Sequence, residues 1–167
     1  SPMAIDVTDL FRKHGAYLDR NTQQLLDNER PPLRFPGLKM TRTVDESKAI
    51  AHVKGSCVIM ASSGMCTGGR VKHHLRANLS RADSTILFVG YQAVGTLGRI
   101  ILDGVSPVRI HGRNYHVQAK LEQVCGFSAH GDRDDLVRWL EGLESPPRQV
   151  FLTHGELDAA NALAQRI

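Results

Sequence analysis

Cys125-Gly126-Phe127-Ser128-Ala129-His130-Gly131-Asp132 and Thr153-His154-Gly155-Glu156 bracket the stretch on which the reading of this 167-residue chain turns. Between them, Asp134 to Leu143 spaces Leu136, Val137, Leu140 and Leu143 in i, i+3/i+4 steps, the pattern of a one-faced helix. Gln149 to Leu152 reads as a short strand. His130 then lies just before a helix N-terminus and His154 at the C-terminal end of a strand. In an open α/β sheet those two kinds of place converge on the rim where ligands bind. A single loop histidine is most often a surface residue or a satisfied hydrogen bonder. Two of them, brought to one rim from different elements, point to chemistry.

Working outward, Cys57-Val58-Ile59-Met60-Ala61 is an unbroken apolar run, as expected of a strand covered on both faces. Ser62 to Gly69 follows as a Gly-rich loop, and Val71 to Leu79 reads as a helix. A second buried run, Thr85 to Val89, ends in Gly90-Tyr91-Gln92, and Gly95 to Arg99 opens another short helix. Strand, Gly-rich loop, helix, repeated, predicts a parallel α/β sheet flanked by helices. Val108 to His111 and Tyr115 to Val124 read as the next strands. In the second, Tyr115, Val117, Ala119 and Leu121 alternate with His116, Gln118, Lys120 and Glu122, which predicts an antiparallel or edge strand with one wet face. The architecture therefore changes character near residue 112.

Nearer the start, Pro2 opens a helical pattern that runs through Leu10 and Phe11 and stops near Gly15. A helix beginning almost at residue 1, without an initiating Met, reads as a piece excised from a longer protein. Asp19 to Thr41 reads as one long irregular excursion around Pro31-Pro32 and Pro36-Gly37. Thr43-Val44-Asp45-Glu46 is a capping-box pattern opening a helix that ends at Gly55.

Composition is that of a globular domain: 41% hydrophobic and 23% charged residues, with no run long enough to span a membrane. No signal peptide opens the sequence. Three cysteines, Cys57, Cys66 and Cys125, form neither a disulfide framework nor a Cys-rich zinc motif, so a reducing cytoplasm is the expected setting. The net charge of +4 is unevenly spread. Between Arg70 and Lys120 stand eight basic residues and only two acids, Asp83 and Asp103, so this block carries +6 and the remainder −2. Such a block suits a polyanion. With 5% aromatic residues there is little material for base stacking, and phosphate contact is the expected mode.

The loops at Ser62 to Gly69 and Gly95 to Arg99 each follow a strand and precede a helix, where backbone N–H groups are well placed to hold phosphate. Arg70 and Arg99 are candidates for charge-assisted bonds to it. Neither loop carries a nucleotide-binding fingerprint. Gly126 to His130 invites a nucleophile-elbow reading, but the fifth position is His rather than Gly, and only one helix and one short strand separate Ser128 from His154, where the expected order puts an acid after an intervening strand. Ser128 is better read as a cap of the helix or its preceding turn. His73 and His74 are adjacent on a helix and point apart, while His111 and His116 flank a turn.

Phe-Ser-Ala-His-x-Asp followed by Leu-Thr-His-Gly-Glu resembles the last two signature motifs of the β-CASP nucleases, metallo-β-lactamase-fold enzymes that include ribonuclease J and the pre-mRNA cleavage endonuclease. Ser-Ser-Gly-Met-x-x-Gly-Gly and Gly-Tyr-Gln-x-x-Gly-Thr-x-Gly-Arg are similar to further motifs of that family. The resemblance implies residues 1–112 as part of a Rossmann-like β-CASP domain and 113–167 as the C-terminal strands and helices of the metallo-β-lactamase domain. It implies His130 beside the scissile phosphate and His154 as the last zinc ligand. It further implies Ser62, Ser63, Gly64, Gly95, Thr96 and Arg99 along the RNA backbone. Asp132 and Glu156 would orient the two rings, or act simply as helix N-terminal acids. The partners implied are RNA and an N-terminal metallo-β-lactamase half; a homo-oligomer stays open and no membrane is expected. Two zinc ions would activate water and neutralise phosphate charge in the whole enzyme. The family's His-x-His-x-Asp-His motif does not occur here, and two ligand-type histidines do not make a tight zinc site. The chain is thus expected to be part of a zinc-dependent RNA hydrolase and inactive in isolation. The competing readings are a non-catalytic RNA-binding or scaffold module and a metabolite-binding α/β domain.

Overall fold

The computed structural model describes residues 1–27, 34–128 and 130–167. In chain order they form α1 (Pro2–Lys13), α2 (Arg20–Asp27), α3 (Val44–Ala49), α4 (Val71–Asn78), β1 (Thr85–Val89), α5 (Leu97–Leu102), β2 (Val108–Ile110), β3 (Arg113–Tyr115), β4 (Lys120–Val124), α6 (Arg133–Glu141) and α7 (Leu157–Ala164). The chain divides into two units, Ser1–Gly126 and Phe127–Ile167.

In the first unit the local signals act as their chemistry dictates. Pro2 sits in the first turn of α1, where its missing N–H costs nothing. Thr43 and Glu46 form the reciprocal capping box of α3: the Thr43 hydroxyl accepts from the Glu46 N–H, and the Glu46 carboxylate accepts from the Thr43 N–H. The core gathers Leu75 and Leu79 at the end of α4, Phe88 of β1, Ile101 of α5, Val108 and Ile110 of β2, and Cys66. Leu79, Ile101 and Ile110 are wholly withdrawn from solvent. β1 pairs in parallel with β4, Thr85 opposite Lys120, and β2 pairs antiparallel with β3, Val108 opposite Tyr115. The result is an α/β unit with a parallel strand pair and flanking helices.

Four expectations are corrected. Cys57 to Ala61 is not a strand among the described residues. No neighbour offers it a ladder, and Val58 and Met60 are 89% and 71% exposed. β1 is buried on one face only, through Phe88, while Leu87 and Val89 face solvent. The run from Tyr115 to Val124 breaks into β3 and β4, because residues 116–119 turn away to bond the end of α4. Its first part is antiparallel as expected, and its second is parallel. Within the excursion from Asp19 to Thr41, residues 20–27 are helical, nucleated by Asp19, whose carboxylate accepts from the N–H groups of Asn21 and Thr22. Pro31 and Pro32 lie outside the described residues.

α3 and α4 are joined through the part-buried pair Ser47 Oγ and His74 Nε2, 3.2 Å apart. Burial holds His74 below the ordinary imidazole value, with His73, the amino terminus and Arg70 adding in the same sense. A histidine depressed in the fold binds its proton more readily when unfolded. Its contribution is therefore present above the unfolded value, about 6.5, and lost as pH falls from there through the lower folded value. Thermal melts at pH 8 and pH 5.5 should show a larger loss of Tm on acidification for the parent chain than for His74→Gln. Equal losses would remove His74 as an acid-sensitive joint.

Candidate functional site

His130 and His154 both belong to the unit Phe127–Ile167, and both precede helix N-termini. His130 stands two residues before Asp132, the N-cap of α6. Its backbone N–H donates to the Ser128 hydroxyl at 3.2 Å, so Ser128 closes the preceding turn as expected of a capping serine. Asp132 accepts from the Asp135 N–H at 2.8 Å, and Asp135 accepts from the Asp132 N–H at 3.1 Å. That capping box commits Asp132 to the helix terminus as a first duty. Ala129 lies outside the described residues.

His154 is not at a strand end. Gln149 to Leu152 forms no strand among the described residues, and Phe151 is 77% exposed. The short apolar run has no partner strand to satisfy its backbone, so it stays irregular. His154 instead occupies the left-handed region, φ +62°, two residues before Glu156, the N-cap of α7. Arg166 and Asp134 form an ion pair at 3.1 Å, tying the chain after α7 to the first turn of α6. The two histidine-bearing turns are thus the same device used twice: an exposed imidazole ahead of a helix N-terminus, where positive dipole ends and N–H groups favour an anion.

Among the described residues no three His, Cys, Asp or Glu side chains come together as a metal cage. The three cysteines are free thiols, and burial pushes Cys66 up, away from the thiolate. These residues do not by themselves make a zinc centre, since a structural or catalytic site needs three or four protein ligands.

In the first unit, the loop at Ser62 to Gly69 and the turn at Gln92 to Arg99 are brought together. Gly98 N–H donates to the Met65 carbonyl at 3.0 Å, and the Gln92 amide donates to the Gly64 carbonyl at 3.1 Å. Gly69, at φ +76°, passes so close to Ser62 that an added Cβ would lie 3.0 Å from its carbonyl oxygen. Ser63 and Thr67 hydroxyls bond across the loop at 3.1 Å. Three of the expected roles are qualified. Thr96 Oγ1 caps α5, accepting from Arg99 N–H and donating to the Ala93 carbonyl, so its hydroxyl is occupied. Arg70 donates to the carbonyls of Thr41 and Arg42, at 2.9 and 2.7 Å, rather than lining the loop. Arg99 pairs with Asp103 along its own helix at 2.9 Å.

Gln92 is the residue whose importance the motif did not announce. It is 3% exposed, and its Oε1 is the one fully buried side-chain oxygen without a partner among the described residues. It packs against Gly98, where an added Cβ would fall 1.8 Å from Oε1 and 3.1 Å from the Met65 carbonyl. The clash has no easy exit, because the other end of the Gln92 amide is held by Gly64 and Tyr91. Gly98→Ala should therefore destabilise the chain by about 1–3 kcal/mol in urea unfolding. In the Gln92→Ala/Gly98→Ala pair part of that loss should return. Strict additivity of the two changes would show that the side chains do not meet.

Residues 1–101 match the family model of the Beta-Casp domain, and residues 114–167 match that of the Zn-dependent metallo-hydrolase RNA specificity domain. The chain is 37% identical to Ribonuclease TTHA0252 of Thermus thermophilus over 165 residues, 99% of this chain and 37% of that protein. It is 30% identical to Transcription termination factor FttA of Methanosarcina mazei over 171 residues, 99% of this chain and 27% of that protein. The same factor of Methanocaldococcus jannaschii is 30% identical over 160 residues, 92% and 25% respectively. The chain thus spans between a quarter and two fifths of these relatives' lengths.

Proposed function

The chain belongs to the β-CASP family, and on that footing we propose that it is part of a zinc-dependent RNA hydrolase that cleaves phosphodiester bonds in the cytoplasm. Residues 1–112 would serve as β-CASP domain and 113–167 as the returning segment of a metallo-β-lactamase domain. The observation that carries this reading is the pair of histidine turns, each held ahead of a helix N-terminus within a chain that both family models match. The unit that bears them supports the domain assignment. None of its described residues is buried, and Phe127, Trp139 and Leu157 stand 79%, 68% and 73% exposed. Apolar side chains of that size call for a covering layer of protein.

In this reading His130 faces the scissile phosphate. As an imidazolium it donates a proton to the leaving oxygen, or neutralises charge growing on a non-bridging oxygen; either role is worth about 10²–10⁴ in rate. The Ser128 hydroxyl and the Asp132 capping box keep its backbone in place. His154 would offer one imidazole to a zinc centre, with the remaining ligands to come from an N-terminal metallo-β-lactamase half; the zinc would activate water and neutralise phosphate charge. Glu156 stands beside it at the N-cap of α7. The backbone of Ser62, Ser63, Gly64 and Gly95, with Thr96 and Arg99, lines the path of the RNA strand.

The test uses the full-length protein that contains this chain. His130→Ala should lower RNA cleavage by about 10²–10⁴ with zinc content unchanged. His154→Ala should lower both zinc content and cleavage. Loss of zinc in the first variant, or full activity in the second, would reverse or remove the roles. The 167-residue chain alone should retain well under one zinc per molecule on metal analysis and leave RNA intact.

A further inference from the structure

A second concentration of chemistry lies in the first unit, where the exposed side of α4 meets the turn between β2 and β3. The rings of His73 and His111 pack with centroids 4.7 Å apart and planes tilted by 44°. Arg76 Nε donates to the Tyr115 hydroxyl at 3.1 Å, which fixes α4 against the hairpin and leaves the rest of the guanidinium outward. Arg113 lies opposite Ile110 in the β2–β3 ladder, so it shares the hairpin face of Tyr115, the residue that bonds α4. Lys72 stands one residue before His73 on the helix.

The charge here is uncompensated. The two acids of the basic block are taken elsewhere: Asp83 pairs with Arg81 at 2.8 Å and Asp103 with Arg99 at 2.9 Å. Lys72, Arg76 and Arg113 have no ion pair with a described carboxylate. His111 is held below the ordinary imidazole value by desolvation and by His73, Lys72 and Arg76. Two imidazoles in contact, with Lys72 and Arg76 acting on His111, form a surface that disfavours a proton and would welcome a phosphate.

We propose that Lys72, His73, Arg76, His111 and Arg113 form a docking surface for the phosphates of a single RNA strand, outside the two Gly-rich loops. This rests on the RNA reading above and names a contact area that reading does not use. The aromatic poverty of the surface, with Tyr115 turned to Arg76, makes the contact one with backbone rather than bases. Phosphate bound beside His111 favours its protonated form, so binding takes up a proton and tightens as pH falls from 8 toward 6. The charged and titratable groups that act on His111 are His73, Lys72 and Arg76 of α4; Arg113 stands two positions along on its own hairpin.

The experiment measures fluorescence anisotropy of a labelled twelve-nucleotide oligouridine RNA with the 167-residue chain, at several salt concentrations and at pH 8 and pH 6. Lys72→Gln/Arg113→Gln should weaken binding about tenfold or more at low salt and flatten the log–log salt slope by about 1.4, for two lost single-strand phosphate contacts. His111→Asn, chosen because Asn tolerates the left-handed φ of +48° at this position, should abolish most of the pH dependence. Circular dichroism and melting of both variants confirm that they fold. If the parent binds RNA and both variants match it in affinity, slope and pH response, this docking surface is overturned while the RNA reading stands. If the parent binds no RNA at low salt, both readings fall together.

Discussion

The carbonyl of Leu79 accepts from two successive backbone N–H groups, those of Gln118 and Ala119, at 2.9 and 3.0 Å, and Lys120 N–H donates to Ser84 at 2.9 Å. These bonds seat the entrance to β4 against the turn that leads into β1, so the two strands start level. Parallel strands cannot be joined by a tight hairpin; they need a crossover of a dozen or more residues. Here that crossover runs from Gly90 to Ala119 and carries α5 and the β2–β3 hairpin. It therefore delivers Ile101, Val108 and Ile110 onto Leu79 and closes the core. At the far end, Gly90 N–H donates to the Val124 carbonyl and the Gln123 amide to the Gly90 carbonyl, which aims Tyr91 and Gln92 toward the Ser62 loop. The placement of both Gly-rich segments follows from one parallel pairing.

What the residues made legible was whatever is decided within a few positions. The Pro2 helix start, the Thr43–Glu46 box, the short helix opened at Gly95 to Arg99 and the helix expected over Asp134 to Leu143 are all local chemistry, and all stand in the structure, the last as Arg133–Glu141. Strands depend on partners that may not be local, and there the pattern misled. Cys57 to Ala61 and Gln149 to Leu152 have the composition of strands but no ladder among the described residues. The alternation across Tyr115 to Val124 is continuous in sequence, yet the Leu79 carbonyl interrupts it by claiming Gln118 and Ala119. α2 carries only Leu25 and Leu26 as large apolar residues, too few for a periodic signal against the prolines that follow.

The candidate site divides along the same line. Glycines, histidines and caps could be picked out singly, whereas their mutual geometry could not. Gln92 stands in a recognisable motif, but its function as the peg between two loops depends on Gly98 leaving room for it. The two adjacent histidines of α4 were correctly expected to diverge: His74 goes to Ser47 and His73 to His111. What lay out of reach was that His111, 38 positions further on, would meet His73 and gather the cations into one surface.

Backbone strain connects these places. Non-glycine residues with positive φ number three among the described residues: Cys66 at 58°, His111 at 48° and His154 at 62°. Each such conformation costs about 1–2 kcal/mol relative to the right-handed region for an L-residue, and persists only where the surroundings over-determine it. Cys66 lies in the Ser62–Gly69 loop, His111 in the turn of the basic surface, and His154 in the last histidine motif. Core packing explains the first, since Cys66 is buried and its N–H donates to Ser63. It does not explain the other two, whose side chains are exposed. A strained backbone under an exposed imidazole gains nothing from burial, so its reason is sought in what the imidazole meets. For His154 the proposed partner is the metal-bearing half of a hydrolase. For His111 the proposed partner is an RNA phosphate held with Lys72 and Arg76.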